Sequence, residues 1–222
     1  MLHWLLHTDA GLFTRIAIGA AIFGVLAFVD FRKNGRSATR WREYGVLLIA
    51  VAAAVVYGAI NDQITAMISW EYFYYGKELH RVLGDATPPE MSRLRWEAAK
   101  VGVRATWTAG LIFGVVLLIA NNPLRGLPRL RNRELLRILP VILLFAIVCG
   151  AIGGVLGYYG ALRHMAADFE DMWRTNYFRP RRFMCTWGVH LGGYVGGFLG
   201  AASAAIWIVR TRVRRGSRRR GS

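Results

Sequence analysis

Phe183 to Val209 reads FMCTWGVHLGGYVGGFLGAASAAIWIV, 27 residues without an Asp, Glu, Lys or Arg. An α-helix rises about 1.5 Å per residue, so about 20 apolar residues cross a hydrocarbon core roughly 30 Å thick. The stretch is long enough, and its apolar character is continuous rather than alternating. That speaks against a strand, whose open edges could not satisfy their backbone in lipid. Working outward, Ile138 to Leu162 is equally free of charge, as is Ala105 to Leu124. Two shorter runs precede them. One is Ile16 to Val29, which extends back to Gly11 if Arg15 snorkels; the other is Gly45 to Ile60, which can continue past Asp62. The expectation is an all-α integral membrane bundle of about five spans: 11–30, 45–61, 101–121, 138–162 and 187–209. These form one domain over 1–209, followed by a basic tail over 210–222.

Composition agrees. A hydrophobic fraction of 55% over 222 residues is too high for an ordinary soluble domain, and the mean hydropathy is +0.31. The net charge of +16 would suggest a nucleic-acid partner if the cations were not sorted by loop. Phe31 to Tyr44 holds five lysines and arginines, Asn121 to Arg137 five and Arg210 to Ser222 seven, with only Glu43 and Glu134 against them. Cytoplasmic loops collect such residues. These three segments therefore belong in the cytoplasm, with Asn61 to Lys100, Arg163 to His190 and the N-terminus outside. The seven tail arginines read as a juxtamembrane polybasic segment attracted to anionic lipid, not to nucleic acid. Met1 to Ala10 carries no lysine or arginine ahead of the first run, so no cleaved signal peptide is expected. Cys149 lies inside an apolar run and Cys185 just before another, an arrangement that disfavours a disulfide between them.

Small residues at four-residue spacing let membrane helices approach closely. Gly150 and Gly154, Gly153 and Gly157, and Gly192, Gly196 and Gly200 form such pairs and stripes, with Gly193 and Gly197 beside the last. On the outer side, Thr87-Pro88-Pro89-Glu90 has the pattern of a helix start. The helix should lead into the third span, with Arg93, Glu97, Lys100 and Arg104 along one face. Between Arg163 and Tyr177, Met165, Phe169, Met172 and Trp173 share one face while His164, Asp168 and Asp171 share another. This predicts an extracytoplasmic amphipathic helix. Trp70, Tyr72, Phe73, Tyr74 and Tyr75 fit an interfacial aromatic belt, as do Trp173, Tyr177 and Phe178.

Ionisable groups at membrane depth are costly, so those near span ends are candidate functional residues. Asp62 and Gln63 follow the second span, Glu71 stands in an aromatic stretch, and His190 begins the fifth span on the same side, with Glu97 near them. Asp62, Glu71 and His190 could ligate a divalent metal, the one cofactor these residues suggest, with Gln63 and Glu97 completing a polar site. A carboxylate with a histidine also suits acid–base chemistry, through Glu71 or His190. The alternative is structural: Asp62 and Glu71 pair with arginines such as Arg104 or Arg182. The chain contains none of the H-E-x-x-H, C-x-x-C, phosphate-loop or nucleophile-elbow motifs. Paired haem ligation is disfavoured, since only His190 approaches a span while His3, His7, His80 and His164 do not.

Asp62-Gln63-x-Thr65, Glu71-Tyr72-Phe73, Gly102-Val103-x-Ala105-Thr106-Trp107 and Trp187-x-x-His190-x-x-x-Tyr194-x-x-Gly197-Phe198-x-Gly200 together resemble an uncharacterised group of polytopic bacterial membrane proteins. The resemblance covers the second span to the fifth. It implies a shared membrane fold, a bacterial inner-membrane location and attention to Asp62, Gln63, Glu71 and His190, but no activity. That group carries histidines where this chain has Asn61 and Lys77, so a metal site relying on them is not implied. Three functions are open at this point: a membrane protein with an outer site for a metal or small polar ligand, an accessory or scaffold subunit held to a membrane partner or to its own copies, and a membrane enzyme.

Overall fold

The computed structural model describes residues 9–122, 126–165 and 178–220. Five long helices carry the fold: α1 (Asp9–Asn34), α2 (Arg40–Ile68), α3 (Met91–Ala120), α4 (Leu139–Tyr158) and α5 (Pro180–Arg220). No strand occurs among the described residues, so the fold is an all-α membrane bundle. Four helical stretches are long and apolar enough to cross a membrane: Arg40–Ile68, Met91–Ala120, Asn132–Tyr158 and Pro180–Arg218. The first expected span falls within α1, a helix of 26 residues.

α2 packs on α3, and α4 on α5, through backbones that nearly touch. On α4 and α5 the glycine stripes are used as expected. A Cβ on Gly153 would run into the Gly188 carbonyl, one on Gly192 into the Cys149 carbonyl, and one on Gly196 into the Phe145 carbonyl. The α2–α3 pair uses stripes of mixed small residues: Ala50, Ala54 and Gly58 on α2 against Gly102, Thr106, Gly110 and Gly114 on α3. A Cβ on Gly110 would lie 2.7 Å from the Val51 Cα, and one on Gly102 would strike the Gly58 carbonyl. Without a hydrophobic drive between helices in lipid, this close contact, rather than large buried side chains, supplies the attraction.

Helix ends depart from expectation at informative places. α2 continues to Ile68, so Asp62 is buried inside a helix rather than ending one. α3 starts at Met91 rather than at Pro88. Pro89 pushes the residue before it out of the helical region, so the Thr87-Pro88-Pro89-Glu90 pattern leads up to the helix without forming its first turn. α4 stops at Tyr158, four residues short of Leu162, ahead of Gly160 at φ +88°. α5 does not end at Val209 but carries the C-terminal arginines onward to Arg220. The expected amphipathic helix lies almost wholly outside the described residues, with Phe169, Met172, Trp173, Asp168 and Asp171. Only Arg163, His164 and Met165 of it are described, in a short 3-10 turn.

The three arginine-rich segments meet at one end of the bundle. Asp30 Oδ2 accepts the backbone N–H groups of Thr39 and Arg40, both at 3.0 Å, and so holds the entry to α2. Arg129 reaches Glu43 at 3.3 Å, and Asn132 donates to the Arg42 carbonyl at 3.0 Å. Arg212, 4% exposed, donates to the carbonyls of Ala120 and Asn122, each at 2.6 Å, and of Pro128 at 3.2 Å.

Candidate functional site

The other end of the bundle holds the polar cluster. Val46, Ala50, Ala54, Gly58, Asp62 and Ala66 recur every four residues, and all are buried. Asp62 thus continues the small-residue stripe that presses α2 against α3. Gly102 makes room for it: a Cβ there would stand 3.0 Å from the Asp62 Cγ. Three residues along α2, Thr65 is buried too and faces α5, where Thr186 donates to its carbonyl at 3.3 Å.

His190 of α5 completes the group. Its Nδ1 lies 3.8 Å from Asp62 Oδ1, and its Nε2 lies 3.3 Å from the Thr65 hydroxyl. Tyr72, in a single π-helical turn over Tyr72–Gly76, stacks on the imidazole with ring centroids 4.9 Å apart and planes 16° apart. Phe73 meets the same ring edge-on at 5.9 Å. Lys77 Nζ stands 5.4 Å from the Tyr72 ring centroid. Burial pushes the Tyr72 phenol above its usual range, so the hydroxyl stays neutral and able to donate.

The hydrogen bonds constrain the histidine. The Thr65 hydroxyl has a single hydrogen, and its shorter contact is to the Asn61 carbonyl, 2.9 Å, in the back-bonding common to membrane helices. With that hydrogen spent, the hydroxyl oxygen is left to accept from His190 Nε2–H. In a neutral ring of that tautomer a bare Nδ1 faces the Asp62 carboxylate 3.8 Å away, a separation too long for a direct hydrogen bond. The Asn61 amide donates to the same carboxylate oxygen at 3.4 Å. The gap between Nδ1 and Oδ1 calls for a donor.

No protein-family model, curated protein or solved structure matches this chain.

Of the residues expected to converge, Asp62 and His190 do. Glu71 is buried at 1% exposure, and its Oε2 accepts from the Ser69 hydroxyl at 2.7 Å, while the Ser69 oxygen accepts the Tyr72 N–H at 3.3 Å. Glu71 thereby holds the turn that presents Tyr72 and Phe73. Gln63, one residue beyond Asp62, points to a different helix face. It donates to the Arg95 carbonyl at 2.7 Å and accepts from the Arg95 guanidinium at 3.1 Å. Glu97 pairs with Lys100 at 2.6 Å. Among the described residues no three His, Cys, Asp or Glu side chains form a group that could hold a metal ion. Thr65 and Tyr72 were missed as members of the cluster. Thr65 had a signal, lying three residues after Asp62 on the buried side of the same helix, whereas the stacking of Tyr72 on His190 had none.

Below the cluster, a cavity of about 50 Å³ lies in the seam between the two zipped pairs. Tyr57, Ala54, Thr106, Phe113, Ala146 and Gly193 are among its walls.

Proposed function

We propose that this chain is a five-span protein of the bacterial inner membrane, with its basic C-terminus in the cytoplasm, whose outer half binds a proton or a small hydrogen-bond donor between Asp62 and His190. One observation carries the reading: the Asp62 carboxylate, 3% exposed, and the His190 imidazole, its side chain 10% exposed, face each other from two helices with Oδ1 and Nδ1 3.8 Å apart. Ionisable groups so placed commonly mark ligand or proton sites in membrane proteins. A donor with two hydrogens, such as a water or an ammonium group, reaches both atoms, and an excess proton on either group serves the same need. The seam cavity offers a polar ligand little purchase beyond the hydroxyls of Tyr57 and Thr106, so the cluster itself is the binding element.

The five-span topology is supported by the gathering of the three arginine-rich segments at one bundle end, together with the 26-residue α1 over the first apolar run. The two-residue core of the cluster favours a small polar ligand over a metal ion.

Histidine nitrogen NMR on the full chain in lipid nanodiscs tests the site, with the His190 signals assigned by comparison with His190→Gln. The expected pattern in the neutral ring is a protonated Nε2 and an Nδ1 that accepts a hydrogen bond and shifts in Asp62→Asn. A protonated Nδ1 with a bare Nε2 would mean that the ring satisfies Asp62 by itself, and the pair would then be a structural tie between α2 and α5.

A further inference from the structure

The arginine-rich end of the bundle contains a built cavity. Arg129, Arg131, Arg133, Arg137, Arg215 and Arg218 line a pocket of about 660 Å³, and the one lining carboxylate is Glu134. Glu134 binds the Arg215 guanidinium with both oxygens, at 2.5 and 3.2 Å, and accepts the Arg131 backbone N–H at 2.8 Å. Arg129 reaches Glu43 at 3.3 Å. Six arginines and one glutamate line the pocket, which keeps a strong positive excess. Guanidinium forks match phosphate oxygens in geometry as well as in charge.

A second cavity, of about 600 Å³, shares Glu134, Arg137 and Arg215 with the first. It continues between α4 and α5 over Ile138, Val141, Ala204 and Trp207. Val141 and Trp207 are 45% and 48% exposed, and this groove enters the apolar stretch of both helices. A cationic pocket continuous with an apolar track at a membrane face has the shape of an amphiphile. A free phosphate would use only the pocket, and a neutral lipid only the groove.

We propose that the paired pocket and groove form a specific site for an anionic phospholipid, with the phosphate held by Arg133, Arg137 and Arg218 and one acyl chain lying along Ile138, Val141 and Trp207. The site requires only that α4 and α5 lie in a membrane, and it is independent of the Asp62–His190 reading. It goes beyond diffuse attraction of a basic segment to an anionic surface, because the cations come from two elements, Arg129 to Arg137 and α5, that fold around one cavity.

The test uses the delipidated full chain in neutral detergent, with lipid binding followed by native mass spectrometry. Dioleoyl phosphatidylglycerol should bind at least about tenfold more tightly than dioleoyl phosphatidylcholine. Arg133→Gln with Arg137→Gln should remove that preference. Arg32→Gln with Arg36→Gln, which removes the same charge from exposed positions at the same end, should leave it intact. Arg133→Lys with Arg137→Lys should keep most of it, which separates loss of charge from misfolding. Equal affinity for the two lipids, equal losses in the two glutamine variants, or full competition by glycerol phosphate, which would make free phosphate the ligand, would each overturn the proposal.

Discussion

Arg212 is a guanidinium taken out of solvent and bonded to main-chain carbonyls. It gathers acceptors left over at the C-terminal end of α3, where the helix dipole is negative, and ties them to the segment around Pro128. Hydrogen bonds from charged groups contribute about 1.5–3 kcal/mol each in net terms, so Arg212→Ala should destabilise the protein by at least about 2 kcal/mol. Arg212→Lys should recover only part of this, since an ammonium cannot span three carbonyls with a planar fork. Unfolding by SDS titration from mixed micelles reads both, and full recovery by lysine would show that charge rather than geometry matters there. The same measurement addresses the cluster at the other end. In a double-mutant cycle, Asp62→Asn and His190→Ala should couple by about 1 kcal/mol or more, because each leaves the other's buried polar group without the arrangement that compensates it. Gln63→Ala serves as the contrast. It is adjacent in sequence but bonded to Arg95 outside the cluster, and its coupling to His190 should be near zero.

At the scale of elements, the glycines divide into two kinds that composition does not distinguish. Gly102 and Gly192 stand where a Cβ would strike a facing backbone carbonyl, whereas Gly24 of α1 has nothing within 4 Å of an added Cβ. Gly102→Ala should force α2 and α3 apart and push on the Asp62 carboxyl, costing about 1–3 kcal/mol as overpacking does. Gly24→Ala should be neutral or stabilising by up to about 1 kcal/mol through helix propensity alone. Equal effects at the two positions would show that the α2–α3 contact is looser than described. The α4–α5 stripes were legible in sequence because glycine fills nearly every contact position. The α2–α3 stripes were not, because alanines at 50 and 54 are indistinguishable from their neighbours in the run AVAAAV, and Thr106 interrupts the α3 glycines. For the same reason Asp62 could be read as a residue at a helix end. Its place in the interface is given only by its four-residue spacing from Gly58, and that spacing carries weight only once Gly58 is known to face α3. Glu71 shows the opposite failure: its burial was foreseeable from the aromatic stretch around it, but its bond to Ser69 depends on the turn geometry between α2 and Tyr72.

For the molecule as a whole, topology turns on which helices cross the membrane and on where the arginines gather. The contacts among residues 39–43, 120–134 and 212–215 place three arginine-rich segments together, and this follows from the fold whatever the orientation. The number of spans depends on α1. Its outward face is apolar, with Ile18, Ile22, Val25 and Phe28 each more than half exposed, as suits a helix in contact with lipid. Arg15 lies 5.8 Å from the Trp107 ring centroid, a contact that lets a cation sit against α3. An α1 lying flat on the surface would bury only one side of the run from Ile16 to Val29, which is apolar all round. A transmembrane α1 puts the N-terminus on the side of Asp62 and the C-terminus on the opposite side. Alkaline phosphatase fused at the N-terminus should therefore be active and fluorescent protein fused there dark, with the reverse at the C-terminus. Activity on the same side at both ends would mean an even number of spans, and α1 would then have to be redrawn as an interfacial helix.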